Sequence, residues 1–452
     1  MTAPVGREAI ERLADAALER AGRSAAGVEV VVQHAAGGLT RFANSQIHQN
    51  VATADLSVGV RVVTGDGRVG VAGAHTDDPA TVADTVDRAL EIARVSPPDP
   101  EFPGLATPAG HAEVPVDDAT LGMSPGGRAA VVRGLLDEVP PDFEAAGAFS
   151  TDLSELGVFT TAGQRAYSAV TSVQLSAVVT GPSSSGYAEQ GGRALTEIDP
   201  AAAGRVASAK ARAGASPVEL GPGSWPVVLE PAATGTLVQF LAYLGFGGRD
   251  HLEGRAFTAG RLGERVVDEQ VTIADDALAR ETVGLPFDWE GTPKQRVVLV
   301  GEGVAVAVVH DRHTARRSGG ASTGHGLPAP NPYGPLPVNP IMAPGDGGSV
   351  ADLVAGLERG LLVTRLHYTN VVHPLETSIT GMTRDGTFLV EDGRVVRAVC
   401  NLRFTQSILA ALASVDAVST ETAYASELFF GGSRFPAVRL PAFEFTSSTT
   451  YG

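Results

Sequence analysis

Cysteine is almost absent from this chain of 452 residues, in which Cys400 stands alone. A single thiol excludes an intramolecular disulfide and any zinc or iron–sulfur site that needs several cysteines. Long apolar runs are also lacking, since the longest candidate, LVQFLAYLGF at 237–246, has about half of the roughly 20 residues that cross a bilayer. The N-terminus carries charges throughout and lacks the apolar core of a signal peptide. We therefore expect a cytoplasmic protein with no membrane partner.

Positive charge is scarce as well. Lys and Arg number 34 against 51 Asp and Glu, which leaves a formal net charge of −17 at pH 7. A nucleic-acid backbone would be repelled over most of such a surface, so we expect no nucleic-acid partner. Glycine, with 54 residues, and proline, with 29, are abundant instead. Together they exceed the average share of about 12%, which indicates a chain rich in turns.

The order of apolar patterns predicts an α+β protein in three parts. Residues 1–96 form a predicted N-terminal α/β-meander domain, residues 97–225 a linker and middle α+β segment, and residues 226–452 a β-rich C-terminal domain. Asp66-Gly67 and Asp392-Gly393, each between two apolar runs, predict β-hairpins. Helical spacing and capping residues predict helices at 5–21, 76–95, 124–139, 199–214, 231–245, 349–359 and 406–416.

The stretch VHDRHTARRSGGASTGHG at 309–326 concentrates side chains that could carry chemistry. They are His310, Asp311, Arg312, His313, Thr314, Thr323, Gly324 and His325. The preceding VAVAVV alternates like a strand, and a strand would point residues 310 and 313 to opposite faces. A polar strand end that leads into a glycine loop is therefore the favoured interpretation, ahead of substrate contact and metal ligation.

The common catalytic signatures are missing. The zinc motifs HExxH and HExxxH and the nucleophile motif GxSxG are absent, and no phosphate-binding glycine loop follows a strand. Cys400 lies in the apolar run VVRAVCNLRF, which predicts a buried, inert thiol on a strand. Residue chemistry alone gives no complete catalytic constellation.

From about residue 227 onward the chain resembles the TldD/TldE (PmbA) family. The resemblance is carried by ordered runs that include VVLEP, GRAFTAGRLGERVVDEQVTIADD, HDRHTARRSGGASTGHG and ERGLLVTRLHYTNVVHPLETSITGMTRDGTFLVEDGRVVRAVCNLRF. TRFANSQIHQN near the N-terminus resembles the first domain of the same family. The resemblance implies a zinc-dependent peptidase assembled from TldD and TldE subunits, in which TldD carries HExxxH on the helix after the VVLEP-type strand.

Here that helix reads AATGTLVQFLAYLGFGG, with Gln239 and Phe240 where the histidine and glutamate would fall. The chain is therefore similar to the TldE side of the pair. The spacing of Leu237, Phe240, Leu241 and Leu244 gives one apolar face, which predicts packing or a partner interface.

The resemblance implies a non-catalytic subunit that holds no cofactor, pairs with an HExxxH-bearing subunit that binds zinc, and helps to enclose a channel for unfolded or modified peptides. The predicted channel or interface residues are the eight of the 309–326 stretch together with His367, Tyr368 and Thr383. Two alternatives stay open. One is a stand-alone metal-dependent hydrolase that uses a cluster of His310, His313, His325, His367 and His373, and the other is a homodimeric peptide-binding protein.

Overall fold

The computed structural model describes residues 4–22, 25–426 and 431–449. Its helices are α1 (Arg7–Ala21), α2 (Pro79–Val95), α3 (Asp118–Leu121), α4 (Pro125–Leu136), α5 (Pro200–Ala213), α6 (Pro231–Gly245), α7 (Gly248–Leu252), α8 (Arg312–Ser318), α9 (Val350–Ala355) and α10 (Ile408–Leu412). Its strands are β1 (Gly27–Ala43), β2 (Gln46–Val63), β3 (Val69–His75), β4 (Glu144–Thr160), β5 (Arg165–Thr180), β6 (Ser185–Gly192), β7 (Gly223–Leu229), β8 (Ile273–Asp275), β9 (Val297–Gly301), β10 (Val304–Ala305), β11 (Pro340–Met342), β12 (Arg359–His373), β13 (Ser378–Glu391), β14 (Arg394–Ala398), β15 (Leu402–Ser407), β16 (Ala417–Ala425) and β17 (Ser433–Ser448).

Helix starts follow the capping signals in the sequence. Asp78, Ser124 and Asp199 each accept backbone N–H bonds at the start of a helix whose first residue is proline. Every predicted helix is present, which confirms the α+β class. The helices predicted at 349–359 and 406–416 are shorter than expected, because β12 already begins at Arg359 and β15 runs through Ser407.

The N-terminal half of the chain is built around one antiparallel sheet of order β3-β2-β1-β4-β5-β6. The hairpin predicted at Asp66-Gly67 is confirmed, as it joins β2 to β3. The pairing of β1 with β4 joins residues on either side of position 96 in the same sheet. The predicted division of the chain into three parts stays a prediction, and the sheet itself does not end at position 96.

The two faces of this sheet are covered by different parts of the chain. Helices α1 and α2 pack against one end of one face, and α4 and α5 pack against the other end. Side chains alternate along a strand, so Val31 lies on the opposite face. There Leu156 and Val158 pack with Phe287 from the C-terminal half. The sheet is therefore buried between its own helices and the second half of the chain.

The C-terminal half contains strands whose pairings form a closed ring. β12 pairs with β7 and β13, β13 with β15, β15 with β17, and β17 with β7. A separate small sheet has the order β10-β9-β8-β11. The hairpin predicted at Asp392-Gly393 is confirmed, and both residues have positive φ, at 48° and 71°, in the turn from β13 to β14.

Helix α6 lies in the largest apolar core, together with side chains of the strand ring. All but three of its 15 residues are buried. Within the described ranges, no helix combines the length and the apolar character that a membrane crossing requires.

Candidate functional site at the junction of the two halves

The strand that the alternation of VAVAVVHDRHTA at 304–315 predicted does not reach His310 or His313. Strand β10 ends at Ala305, and helix α8 begins at Arg312. Asp311 caps this helix, because its Oδ1 accepts a 2.7 Å bond from the backbone N–H of Thr314. The prediction that residues 310 and 313 lie on opposite faces of one strand is therefore wrong. The carboxylate cap, which satisfies an otherwise unpaired N–H group, outweighs the apolar alternation before it.

Two histidines of this stretch, His310 and His325, make internal contacts, and both bond to the hydroxyl of Thr323. His325 Nε2 lies 2.8 Å from Asp275 Oδ1, and both side chains are fully buried. His310 Nδ1 lies 3.2 Å from the Thr314 hydroxyl, while its backbone N–H donates to Thr323 Oγ1 at 2.7 Å. Burial lowers the pKa of His310 and of His325 below the ordinary histidine value.

Arginines of α8 attach the stretch to the linker that follows α2. Arg312 Nη2 donates to the carbonyl of Leu105 at 2.9 Å, and Arg316 Nη1 donates to the carbonyl of Phe102 at 2.8 Å. The more exposed His313 lies 3.9 Å from Asp99. This part of the predicted site therefore holds two segments of the chain together.

A buried charged cluster, which sequence reasoning missed, lies beside this stretch. Glu29 and Arg61 are paired residues on β1 and β2, with Arg61 Nε 3.3 Å from the Glu29 carboxylate. Arg61 also lies 3.7 Å from Glu290, which accepts a 2.9 Å bond from the backbone N–H of Arg312. The sequence did contain a signal for this pair. Glu29 is the only acid in the apolar run VEVVV, and Arg61 is the only base in the apolar run VGVRVV.

The acids of this charged cluster have pKa values above those of ordinary carboxyl groups. Burial raises the pKa of Glu29 and, with the nearby carboxyl of Asp288, raises the pKa of Glu290 to about 8. Burial also raises the pKa of Asp288, although three backbone N–H groups donate to this carboxyl and act in the opposite direction.

A cavity of about 660 Å³ separates the open face of the first sheet from the C-terminal half. The sheet contributes Gln33, Ser57 and Ser172, and helix α6 contributes Tyr243. The apolar side chains of the opposite wall are Val283, Leu285, Phe287, Leu327, Leu336 and Val338. We call this the central cavity. Its volume and mixed lining suit a small molecule or a short extended segment of peptide.

Two polar side chains mark one wall of the central cavity. Lys294 Nζ donates to Asn339 Oδ1 at 3.3 Å, and burial lowers the pKa of this lysine. Asn339 also donates its backbone N–H to Asp275 at 2.6 Å. Burial acts to raise the pKa of Asp275, but His325 and Lys294 hold it below the ordinary value. The cavity wall is thus linked to the buried His325–Asp275 pair.

None of the predicted residues between 310 and 325 lines the central cavity. Asp311, His313 and Thr314 instead line a second cavity of about 440 Å³, the side cavity, together with Arg61 and Glu290. Their assignment to a substrate channel stays a prediction.

The remaining predicted residues, His367, Tyr368 and Thr383, lie on β12 and β13. His367 and Tyr368 form an edge-to-face ring contact at 5.4 Å, and Tyr368 is 76% exposed. Thr383 is fully buried, and its hydroxyl accepts bonds from Leu402 N and Thr387 Oγ1. Thr383 is thus a structural contact inside the strand ring, while Tyr368 is open to a partner.

The helix that would correspond to a zinc-binding helix offers no zinc ligand. Leu237, Phe240, Leu241 and Leu244 are buried in the core of this chain. Gln239 is fully buried as well, and its Oε1 has no hydrogen-bond partner. No set of three or more His, Cys, Asp or Glu side chains within the described ranges is placed to hold a metal ion. The side chains of α6 therefore do not supply the ligands of a zinc ion.

Cys400 is buried and unpaired, as predicted, although it lies between β14 and β15 and not within a strand. Burial raises the pKa of its thiol, with Glu219 acting in the same direction. A protonated, enclosed thiol suits a packing role.

Two parts of the chain match models of known protein families. Residues 222–447 match the C-terminal domain of PmbA/TldA metallopeptidases, and residues 28–93 match domain 1 of the same proteins. The first match alone covers half of the chain. The chain therefore belongs to the TldD/TldE (PmbA) metallopeptidase family.

Individual relatives agree with this assignment. The chain is 24% identical to metalloprotease PmbA of Escherichia coli O157:H7, with 96% of each chain covered. It is 29% identical to the metalloprotease TldD homolog of Haemophilus influenzae over 43% of this chain and 38% of that protein. The match to that relative thus spans less than half of its length. Among solved structures, TldE from Thermococcus kodakarensis has the same fold, with a TM-score of 0.86, 19% identity and coverage of 97% of this chain and 100% of that chain.

Proposed function

We propose that this chain is the subunit of a TldD/TldE-type metallopeptidase assembly that does not bind the zinc ion. The observation that supports this proposal is helix α6. The HExxxH spacing counted from Gln239 falls on Gln239, Phe240 and Leu244, none of which is a ligand or a general base, and all three are buried in an apolar core. An HExxxH-bearing partner subunit would then supply the zinc ion, the activated water and the base.

The role of this subunit in the proposal is to enclose and position a peptide. The central cavity supports this role, because both halves of the chain line it with apolar side chains and a few polar groups such as Lys294 and Asn339. The side cavity, lined by Asp311 and His313, is a second surface that a peptide or partner segment could reach. The substrate class in this proposal is an unfolded or modified peptide.

The stand-alone hydrolase has less support. His325 is bonded to Asp275, His310 lies beside Thr314, and His313 lies nearest Asp99. His367 and His373 lie on β12, in the strand ring. No set of three or more His, Cys, Asp or Glu side chains in the described part of the chain is placed to hold a metal ion, which favours the first proposal over this one.

The test compares the purified chain with the complex that it forms when co-expressed with an HExxxH-bearing relative. We expect no stoichiometric zinc and no peptide hydrolysis from the chain alone, and both from the complex. The matched variants are His313→Ala in this chain, which should leave the zinc content of the complex unchanged, and a substitution of the partner's motif glutamate, which should abolish hydrolysis. Chelator-sensitive peptidase activity from the chain alone would overturn the proposal.

A further inference from the structure

The wall of the central cavity carries a lysine that has no acidic partner. Lys294 and Lys210 are the only two lysines of the chain, and Lys294 lines the central cavity. Lys210 forms an ion pair with Glu230. Lys294, in contrast, forms no ion pair with any acid in the described ranges, and its Nζ donates only to Asn339 Oδ1, at 3.3 Å. The two lysines therefore differ in that one has a counter-charge and the other lacks it.

The two carboxylates that influence Lys294 are bonded to other groups. Asp275 accepts from His325 Nε2 with one oxygen and from the backbone N–H of Asn339 with the other. Both oxygens of Asp288 accept backbone N–H groups as well. Burial lowers the pKa of Lys294, and the two carboxylates only partly oppose this effect. A buried ammonium without a close counter-charge is costly, so an anion beside Lys294 would be favourable.

The ammonium group has donors to spare for a ligand. An ammonium carries three N–H groups, and Asn339 accepts only one of them. The amide of Asn339 is held in place, because its Nδ2 donates to the carbonyl of Val283 at 3.1 Å. Lys294 itself is half-buried and lines the cavity. Its remaining N–H groups are therefore available to a molecule inside the cavity.

The rest of the lining defines the chemistry of that molecule. Lys294 is the only lysine or arginine among the described residues of the lining, and its two acids, Asp55 and Glu155, each bond to a histidine. A doubly charged phosphate would thus meet a single cation near Asp275 and Asp288. The opposite wall is apolar. These features favour a ligand with one negative charge on an apolar body.

We propose that Lys294 makes the central cavity a binding site for a carboxylate that carries an apolar group. Two sources share this chemistry, the last residue of a peptide and a free organic acid. A peptide would place its terminal carboxylate at Lys294 and its last side chain against the apolar wall. In that form the inference rests on the proposed role of this subunit in positioning a peptide.

The test measures binding to the full chain by titration calorimetry, without a partner subunit and without zinc. The ligands are an acetylated Ala-Ala-Phe peptide with a free carboxylate, the same peptide as its C-terminal amide, and hydrocinnamate. The peptide acid should bind about tenfold more tightly than the amide or better, since a bond to a charged group is stronger than one to a neutral group. The tighter ligand of the peptide acid and hydrocinnamate identifies the source.

Lys294→Met removes the ammonium and keeps a long side chain, so it should abolish the preference for acid over amide. Lys210→Met is the matched control, because Lys210 lines a different cavity, and it should keep the preference. Thermal melts of both variants show that they are folded. Equal binding of acid and amide, no binding of either acid, or a preference that survives in Lys294→Met would overturn this site and leave the zinc assignment untouched.

Reductive methylation of the unchanged protein gives a readout that does not depend on the folding of a variant. Mass spectrometry can assign the modification, because the chain has only two lysines. The ligand that binds should slow methylation of Lys294 and leave that of Lys210 unchanged, while the peptide amide should protect neither. Methylation of Lys294 at the same rate with and without a saturating acid would contradict the proposal.

Discussion

Glu290 is a buried carboxyl whose pKa the fold raises. Its side chain is 9% exposed, and it lies near the carboxyls of Asp288, Asp311 and Glu29. Burial and these negative neighbours raise its pKa to about 8, and Arg61 only partly opposes them. Because the unfolded chain has an ordinary glutamate pKa near ~4.3, Glu290 binds its proton more tightly in the folded protein.

This difference predicts a pH dependence of stability. The raised pKa contributes stability that is fully present below the unfolded value and is lost as pH rises through about 8. We expect the free energy of unfolding to fall over this window by at most ~1.4 kcal/mol per pH unit for this one group. Glu290→Gln, which stays neutral, should flatten the dependence measured by urea denaturation at a series of pH values.

The control is Glu269→Gln, because Glu269 is 78% exposed and its ion pair with Arg265 is long, at 3.9 Å. This variant should keep the pH dependence of the unchanged protein. A Glu290→Gln curve that still falls with pH to the same extent would show that the side chain is ionised in the fold and that the argument from burial fails.

At the scale of one element, α6 is held mainly by apolar packing, with a few polar contacts such as the bond of 3.5 Å from Gln239 Nε2 to the carbonyl of Ala425. The sequence predicted its apolar face from the spacing of Leu237, Phe240, Leu241 and Leu244. The structure also buries its other faces, including Gln239, against the strand ring. The oxygen of its buried amide Gln239 has no hydrogen-bond partner, which is a destabilising feature in this core.

Phe240→Ala should therefore be strongly destabilising. Phe240 is 2% exposed within the largest core, so the substitution leaves a cavity and should lower the free energy of unfolding by about 3–5 kcal/mol. Leu262→Ala is the control, because Leu262 is 40% exposed and should cost only about 0.5 kcal/mol. Chemical denaturation measures both variants, and similar losses for the two would contradict the assignment of α6 to the core.

At the scale of the whole molecule, the two halves are joined by buried polar contacts as well as apolar packing. Arg61 connects Glu29 of the first sheet to Glu290 of the second half. Gln164 Nε2 donates to the carbonyl of Gly291 at 2.5 Å, and Arg312 bonds to the linker at Leu105. These contacts cross the junction beside the central cavity. Without them, we expect the two halves to unfold at different temperatures.

Arg61→Ala tests this coupling. The substitution leaves the buried Glu29 without its cation, a change that typically costs about 3–5 kcal/mol, and it also removes the contact to Glu290 across the junction. Calorimetry should show a lower melting temperature and a broader or divided transition. Arg165→Ala removes an exposed pair with Asp15 and should change stability by less than about 1 kcal/mol. An unchanged single transition in Arg61→Ala would mean that apolar packing alone joins the halves.

The sequence by itself determined the local elements and the family resemblance. Caps such as Asp78 and Asp199, the two Asp-Gly turns and the 3.6-residue spacing of α6 act over a few neighbouring residues, so their consequences can be read directly from the chain. The lack of histidine along α6 is likewise a property of sequence alone.

Only the tertiary structure decided which distant residues meet. The pairing of β1 with β4 across position 96, the bond between His325 and Asp275, and the charged cluster of Glu29, Arg61 and Glu290 all join residues far apart in the chain. At 310–313, even the local prediction of a strand was wrong, because a carboxylate cap and contacts to the linker favour a short helix there. Burial shifts pKa values and depends on every element that packs around a group. The buried groups and the cavities therefore cannot be predicted from the sequence before the fold is known.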